Sequence, residues 1–175
     1  ETVTDAISKI RDTTEAHGRA NVVEVMGRSC GDIALYAGIS GGAESIIVPE
    51  METDMDEIAK KMLEGKNRGK RHHIILVAEG AGEAHEVARE LQKLTGIETR
   101  VTILGYIQRG GSPGPADRIM ATSMGVVAVE SLLENKSVAI GIRGGRIFSE
   151  PIGTALRTKN KFNRKLYETM KMVSI

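Results

Sequence analysis

The chain has 175 residues, of which 41% are hydrophobic and 27% charged, and its formal net charge is +1. These values exclude a disordered chain and allow one domain or two small lobes. The balanced charge and the absence of Trp give no basis for nucleic-acid binding. No apolar run is long enough to span a membrane and no secretory signal is visible, so we expect no membrane partner and a cytoplasmic location.

The single cysteine, Cys30, cannot form an internal disulfide, which is typical of a reducing compartment. We interpret its thiol as buried or incidental and not as a nucleophile. The chain opens at Glu1, without a Met, directly on a helical pattern. We therefore expect this sequence to be a piece of a longer protein.

Helical and apolar segments alternate along the chain. Apolar spacing, with Gly18, Gly65 and Gly96 as stops, predicts helices over 4–17, 33–39, 54–64, 83–95 and 115–135 and a closing helix over 162–173. Short apolar runs predict strands at 21–26, 45–48, 73–78, 100–104 and 138–142, followed by a glycine turn at 144–145 and a short segment at 147–148. This alternation predicts an α/β fold, a three-layer sandwich with a mostly parallel sheet.

Three predicted strands end in polar or glycine-rich segments. These segments are Met26-Gly27-Arg28, Glu79-Gly80 and Gly105-Tyr106-Ile107-Gln108-Arg109. Open α/β sheets bind ligands beyond the carboxyl ends of their strands, where fixed cations and backbone amides suit an anion. For the third segment alone, a tight strand-to-helix connection with solvated arginines is an equally good interpretation. The three strand ends together favour a phosphorylated ligand.

Several catalytic motifs are absent from the sequence. It contains no Gly-x-x-x-x-Gly-Lys-Ser/Thr loop, no strand-linked Gly-x-Gly-x-x-Gly and no His/Cys cluster at metal-ligand spacing. His72 and His73 are adjacent, so on a strand they would face opposite ways and could not share a metal. Ser29 and Ser112 lack the sequence context of a nucleophile, and no residue stands out as a general base.

The strand ends resemble those of the bacterial 6-phosphofructokinases. The resemblance is carried by 25–32, 78–80 and, most specifically, 104–113 with Asp117 and Arg118. It covers essentially the whole chain and corresponds to the C-terminal half of that enzyme, which holds fructose 6-phosphate. It implies a phosphofructokinase-like fold, C-terminal half only, over residues 1–175, with some of 1–20 and 135–175 packing on the missing lobe.

The resemblance implies a role for each site residue. The substrate-binding residues would be Arg19, Met26, Gly27, Arg28, Glu79, Arg100, Tyr106, Ile107, Gln108 and Arg109. Arg28 would also act in catalysis by neutralising the transferring phosphoryl group, and Glu79 would accept hydrogen bonds from sugar hydroxyls. Arg109 would hold the 6-phosphate within its own subunit. Arg19 and Arg100 would reach the phosphate of a neighbouring subunit, in a homotetramer.

Tyr106 departs from the family pattern, which usually has a histidine at this position. Both side chains can hydrogen-bond a phosphate, but tyrosine is neutral at pH 7. The departure bears on substrate affinity or on the coupling between subunits, and not on the fold.

The segment 66–72 carries four Lys or Arg residues. Taken alone, such a segment is most often a solvated basic turn. The resemblance implies instead an allosteric site between subunits for ADP and phosphoenolpyruvate, formed by Arg11, Gly42, Ala43, Glu44, Arg68, Lys70, Arg71 and His72. Glu44 would face the magnesium ion bound to the effector, because carboxylate oxygens suit this hard cation.

The resemblance also implies the reaction. The full-length glycolytic enzyme would transfer the γ-phosphoryl group of ATP, with Mg²⁺, to the 1-hydroxyl of fructose 6-phosphate. Its ATP segment, its general base and most of its Mg²⁺ contacts would lie in the missing N-terminal half, so we expect this chain alone to be inactive. Two alternatives stay open: a pyrophosphate-dependent member of the family, and a non-catalytic sugar-phosphate or nucleotide-sensing domain.

Overall fold

The computed structural model describes residues 1–158 and 161–174, and its α-helices and strands alternate from Thr2 to Arg143. The helices are α1 (Thr2–His17), α2 (Asp32–Gly41), α3 (Met55–Asn67), α4 (Ala84–Thr95), α5 (Pro115–Leu133), α6 (Ile152–Arg157) and α7 (Arg164–Val173). The strands are β1 (Ala20–Val25), β2 (Ser45–Ile47), β3 (His73–Ala78), β4 (Thr99–Ile103), β5 (Val138–Arg143) and β6 (Arg146–Pro151). None of the helices in these ranges has the length and apolar character needed to cross a membrane.

The chain divides into two units. The first unit comprises Glu1–Gly111 and Phe162–Ile175, and the second comprises Ser112–Lys161. A short 3₁₀ helix, Gly105–Arg109, follows β4 in the first unit. From the sequence, residues 105–109 are expected to form a loop and not a helix.

Four parallel strands form the sheet of the first unit, in the order β2-β3-β1-β4. Strand β1 pairs with β3 from Ala20↔His73 to Val25↔Ala78, and its other edge pairs with β4. All six residues of β3 are buried, as expected for an apolar strand covered on both faces. The predicted parallel sheet is confirmed, and its register brings the carboxyl ends of β1, β3 and β4 together.

Two apolar cores lie on the two faces of this sheet, because successive strand residues point to opposite sides. Ile74 and Leu76 of β3 belong to a core with residues of α1, α2 and α7. Ile75 and Val77 belong to a second core with residues of α3 and α4. Helices therefore cover both faces, which confirms the predicted three-layer α/β arrangement for the first unit.

The second unit contains an antiparallel hairpin. Strand β5 pairs with β6 up to Arg143↔Arg146, and the two intervening glycines, Gly144 and Gly145, have φ values of 56° and 76°. Two-residue turns with positive φ match the twist of adjacent antiparallel strands. The predicted strand at 138–142 is confirmed, but it lies outside the parallel sheet, and the segment at 147–148 is part of β6. Helix α6 was not predicted.

The predicted end of helix α3 is wrong by three residues, whereas the other predicted helix ends lie within two residues of the observed ones. Helix α3 begins after Asp54, whose side chain accepts a hydrogen bond from the Glu57 N–H at 3.0 Å, but it runs through Gly65 to Asn67. Gly65 is buried, and a Cβ there would lie 2.6 Å from Cε1 of His73. Gly65 therefore permits close helix–strand packing and does not end the helix. Gly18 and Gly96 do follow helix ends, with left-handed φ values.

Candidate functional site

The carboxyl ends of three strands meet at one edge of the sheet. The N–H of Glu79 donates to the carbonyl of Val25 at 2.9 Å, and the N–H of Leu104 donates to the carbonyl of Glu24 at 3.2 Å. These bonds extend the backbone pairing with β1 by one residue beyond the ends of β3 and β4. The three polar segments singled out in the sequence therefore adjoin one another, as predicted.

Glu79 holds the loop that follows β1. Its Oε1 accepts hydrogen bonds from the N–H groups of Gly27 at 3.2 Å and Arg28 at 2.5 Å. Hydrogen bonds to a charged acceptor are the stronger kind, so this carboxylate orders the loop. The predicted contact of Glu79 with sugar hydroxyls would use the remaining acceptor capacity of the carboxylate.

Arg28 lies in a loop whose backbone packs directly against Gly80 of the loop after β3. Its φ is 54°, in the left-handed region that costs a non-glycine residue roughly 1–2 kcal/mol. A Cβ on Gly80 would overlap the carbonyl oxygen of Arg28, so the backbones of the two loops approach as closely as glycine permits. The exposed Arg28 side chain is therefore presented from a fixed backbone.

Gln108 joins the 3₁₀ helix to the end of β1. Its Oε1 accepts the N–H of Met26 at 3.0 Å, and its Nε2 donates to the carbonyl of Gly105 at 2.7 Å. Gln108 was predicted to bind substrate, whereas the structure shows both ends of its amide bonded to the backbone. Tyr106, Ile107 and Arg109 of the same helix are exposed, and the bond from Met26 to Gln108 holds this helix against the end of β1.

Glu50 is a residue of this edge that the sequence analysis missed. Both of its carboxylate oxygens accept the N–H of Gly31, at 2.9 and 3.1 Å, just before α2 begins. The sequence could have indicated Glu50, because it lies two residues after the predicted strand 45–48 and so at a fourth strand end. Glu50 therefore fixes the far side of the loop that carries Arg28.

Arg19 and Arg100 lie at the opposite, amino end of the sheet. Nε of Arg19 is 2.8 Å from Oε2 of Glu98, and Nη2 of Arg100 is 2.6 Å from Oε1 of the same residue. The length of β1 separates Arg19 from Arg28 by roughly 20 Å at the usual rise of a strand. Within the first unit, these two arginines form a separate group from the residues around Arg28.

The predicted effector residues also lie at the amino end of the sheet. Glu44 is buried, and its Oε1 lies 2.8 Å from Nζ of Lys70 and 3.5 Å from Nε2 of His72. Its Oε2 accepts the N–H of Ile74 at 2.5 Å. The structure thus brings three of the predicted residues together. Arg68 and Arg71, which lie close to Lys70 in sequence, are exposed.

A buried guanidinium adjoins this group. A Cβ on Gly42, whose φ is +67°, would lie 2.9 Å from Nη2 of Arg11. The Nε and Nη2 atoms of Arg11 are buried and have no hydrogen-bond partner among the described residues. Gly42 also lines a cavity of about 140 Å³ with Ala43, Glu44 and Lys70. Buried donors without acceptors beside a small cavity fit an anionic ligand.

The described residues do not form a magnesium site by themselves. They contain no group of three or more His, Cys, Asp or Glu side chains placed to hold a metal. Glu44 offers a single carboxylate, and its two oxygens already contact Lys70 and the backbone of Ile74. A hard cation needs several oxygen ligands, so Glu44 alone does not fit Mg²⁺.

The Phosphofructokinase family profile matches residues 1–132. A protein named ATP-dependent 6-phosphofructokinase from Clostridium tetani is 59% identical over 174 residues, which cover 99% of this chain and 54% of that protein. A protein of the same name from Alkaliphilus metalliredigens is 57% identical over 175 residues, covering 99% of this chain and 55% of that protein. The chain thus spans about half the length of these relatives.

The fold is also similar to solved structures. Phosphofructokinase from Saccharomyces cerevisiae aligns with a TM-score of 0.77 and 38% identity, over 89% of this chain and 23% of that chain. A pyrophosphate-dependent phosphofructokinase from Marinobacter aquaeolei aligns with a TM-score of 0.78 over 94% of this chain and 48% of that chain, but at 18% identity, so this likeness concerns the fold alone. From the profile match and the close relatives together, the chain belongs to the phosphofructokinase family.

Proposed function

We propose that this chain is the fructose 6-phosphate-binding half of an ATP-dependent 6-phosphofructokinase. The whole enzyme would transfer the γ-phosphoryl group of ATP to the 1-hydroxyl of fructose 6-phosphate, in glycolysis, and would act in the cytoplasm. The observation that carries the proposal is the convergence of Arg28, Glu79 and the Gly105–Arg109 helix at one edge of the sheet.

The chain's own residues would bind and orient the sugar phosphate. Arg109 offers an accessible planar fork of donors to the 6-phosphate, a geometry that suits phosphate oxygens. Arg28, fixed by the bonds from its loop to Glu79, would stabilise the charge on the transferring phosphoryl group. Phosphoryl transfer is accelerated mainly by such positioning and charge stabilisation. The general base and the ATP with its Mg²⁺ would be held mainly by residues outside this chain.

ATP is favoured over pyrophosphate as the donor. The relatives named ATP-dependent are 52–59% identical to this chain over almost all of its length. The pyrophosphate-dependent neighbours in structure are 18% and 20% identical. The donor itself would contact the other half of the enzyme.

The proposal extends to regulation and assembly. ADP and phosphoenolpyruvate, both phosphorylated, would bind beside Arg11 and Lys70, because two buried nitrogens of Arg11 lack acceptors among the described residues and Lys70 lines a small cavity. Any magnesium near Glu44 would arrive with the effector, since Glu44 alone does not fit the ion. In a homotetramer, Arg19 and Arg100, which lie at the far end of the sheet from Arg28, would serve the substrate of a neighbouring subunit.

The test is a coupled assay of the full-length protein that carries this chain. Fructose 1,6-bisphosphate should form with ATP and not with pyrophosphate, and the 175-residue chain alone should give no turnover. Titrations of fructose 6-phosphate and ADP into the chain alone should show weak binding. Turnover by the chain alone would refute the proposal. Tight binding of one ligand by a monomeric chain would indicate a sensing domain instead.

A further inference from the structure

We propose that Glu98 is a positioning residue, whose carboxylate holds Arg19 and Arg100 together as one phosphate-binding group. Nothing in the sequence singled out Glu98. The inference rests on the proposed function, because it takes these two arginines as the pair that reaches the phosphate of a neighbouring subunit. It adds a residue that does not itself touch the substrate.

The geometry is that of one carboxylate bridging two guanidinium groups. Oε2 of Glu98 contacts Nε of Arg19 at 2.8 Å, and Oε1 contacts Nη2 of Arg100 at 2.6 Å. A guanidinium has five N–H donors. Each arginine therefore contacts Glu98 through one nitrogen, and at least one of its NH₂ groups can still bind an anion.

Glu98 is itself anchored to the sheet. Its carbonyl accepts the N–H of Ala20 at 2.9 Å, where β1 begins, and the next residue, Thr99, opens β4 in register with Ala20. Arg19 directly precedes Ala20, and Arg100 directly follows Thr99. The backbone thus fixes the carboxylate between the two arginines that it contacts.

The charge of Glu98 is needed as well as its shape. Two guanidinium groups directed at one point repel each other, and a carboxylate between them removes most of that repulsion. A dianionic phosphate still meets a net positive group, because two positive charges face one negative charge. Holding both side chains in advance also lowers the conformational entropy that binding would otherwise cost.

An ordinary surface ion pair is the alternative explanation for this contact. The exposed side-chain fractions are 33% for Arg19, 46% for Glu98 and 61% for Arg100. Exposed pairs contribute little to folding stability. Loss of the Glu98 charge should therefore leave the fold intact, and an effect on substrate binding would separate positioning from a structural role.

The experiment uses the full-length enzyme with Glu98→Gln, and Glu90→Gln on α4 as a matched exposed control. We expect the KM for fructose 6-phosphate to rise roughly 3- to 10-fold in Glu98→Gln, as for loss of a charge-assisted contact. The KM for ATP, the kcat at saturating sugar phosphate and the melting temperature should match those of the wild type. Glu98→Asp keeps the charge on a shorter side chain, so its KM for fructose 6-phosphate should lie between those of the wild type and Glu98→Gln.

A double variant tests the coupling. Because Glu98 acts through the arginines, Glu98→Gln should change the KM less in an Arg19→Ala background than in the wild type. An unchanged or lowered KM for fructose 6-phosphate in Glu98→Gln, in an otherwise active enzyme, overturns the inference and leaves the proposed function standing. A lowered KM would mean that Glu98 competes with the phosphate. An inactive wild-type enzyme would remove the proposed function itself.

Discussion

The loop after β1 is held in place by side chains and close backbone contacts within the chain. Glu79 accepts two N–H groups of this loop, and Gln108 accepts a third from Met26. Gly80 lies against the carbonyl of Arg28, where no side chain fits. The arginine proposed to stabilise the phosphoryl group is thus set in place by the fold, which lowers the reorganisation that the reaction would require.

Gly80→Ala should disrupt this loop. Its Cβ would overlap the backbone of Arg28, which cannot rotate away as a side chain could, so we expect a loss of about 1–3 kcal/mol in the free energy of unfolding. Gly125→Ala is the matched control, because nothing lies within 4 Å of a Cβ there and alanine favours the α5 helix by about 0.5–1 kcal/mol. Urea unfolding measures both. Equal effects at the two positions would contradict the close contact.

His73 makes stability depend on pH. Burial lowers the pKa of His73 below its usual value near 6.5, and the charges of Lys70 and His72 lower it further, while Glu44 opposes them. Between the lowered pKa of His73 in the folded chain and about pH 6.5, the folded chain therefore binds fewer protons than the unfolded chain. The stability associated with a neutral His73 is fully present above that pH and is lost as the pH falls toward the folded pKa.

His73→Leu should flatten this part of the pH dependence. The variant has no group to protonate, and the buried Nε2 of His73 has no hydrogen-bond partner among the described residues to be lost. Urea unfolding between pH 5 and 7.5 measures the slope, with the exposed His85→Gln as control. A slope as steep in His73→Leu as in the wild type would show that other groups produce it.

Among the helices and strands, periodicity predicted every described α-helix except α6 and all four parallel strands, but not every partner or boundary. The apolar run at β5 resembles those of the buried strands, and only the turn at Gly144 and Gly145 distinguishes a hairpin strand from a parallel one. Likewise, Gly65 has the local signature of a helix stop. Its actual role depends on His73, which lies on another element and is invisible to a local pattern.

Helix α7 is fixed to the first unit by one deeply buried side chain. Met170 is 3% exposed within the core that includes α1 and α2, and Lys171 forms an ion pair with Glu57 at 3.0 Å. Met170→Ala should lower the free energy of unfolding by about 2–5 kcal/mol, the usual cost of a core cavity. Met172→Ala, at a position that is 78% exposed, should change it little. Thermal and urea unfolding compare the two variants, and similar losses would contradict the docking of α7.

At the scale of the whole molecule, the sheet of the first unit separates two groups of site residues. Arg28, Glu79 and Gln108 lie at its carboxyl edge, and Glu44 with Lys70 lies at its amino edge. General rules for α/β sheets predicted the first group from the sequence, whereas the second was named only through the family resemblance. Neither route identified Glu50 or Glu98, because the contacts of Glu50 with Gly31 and of Glu98 with Arg19 join segments that are distant in sequence.

In the proposed enzyme, the carboxyl edge of the sheet holds the 6-phosphate of the sugar. The most direct measurement is the KM for fructose 6-phosphate of Arg109→Ala in the full-length enzyme, beside Arg89→Ala, an exposed arginine of α4. We predict a rise of roughly 10-fold or more for Arg109→Ala, since a charge-assisted phosphate contact is lost, and wild-type values for Arg89→Ala. An unchanged KM in Arg109→Ala would contradict the claim.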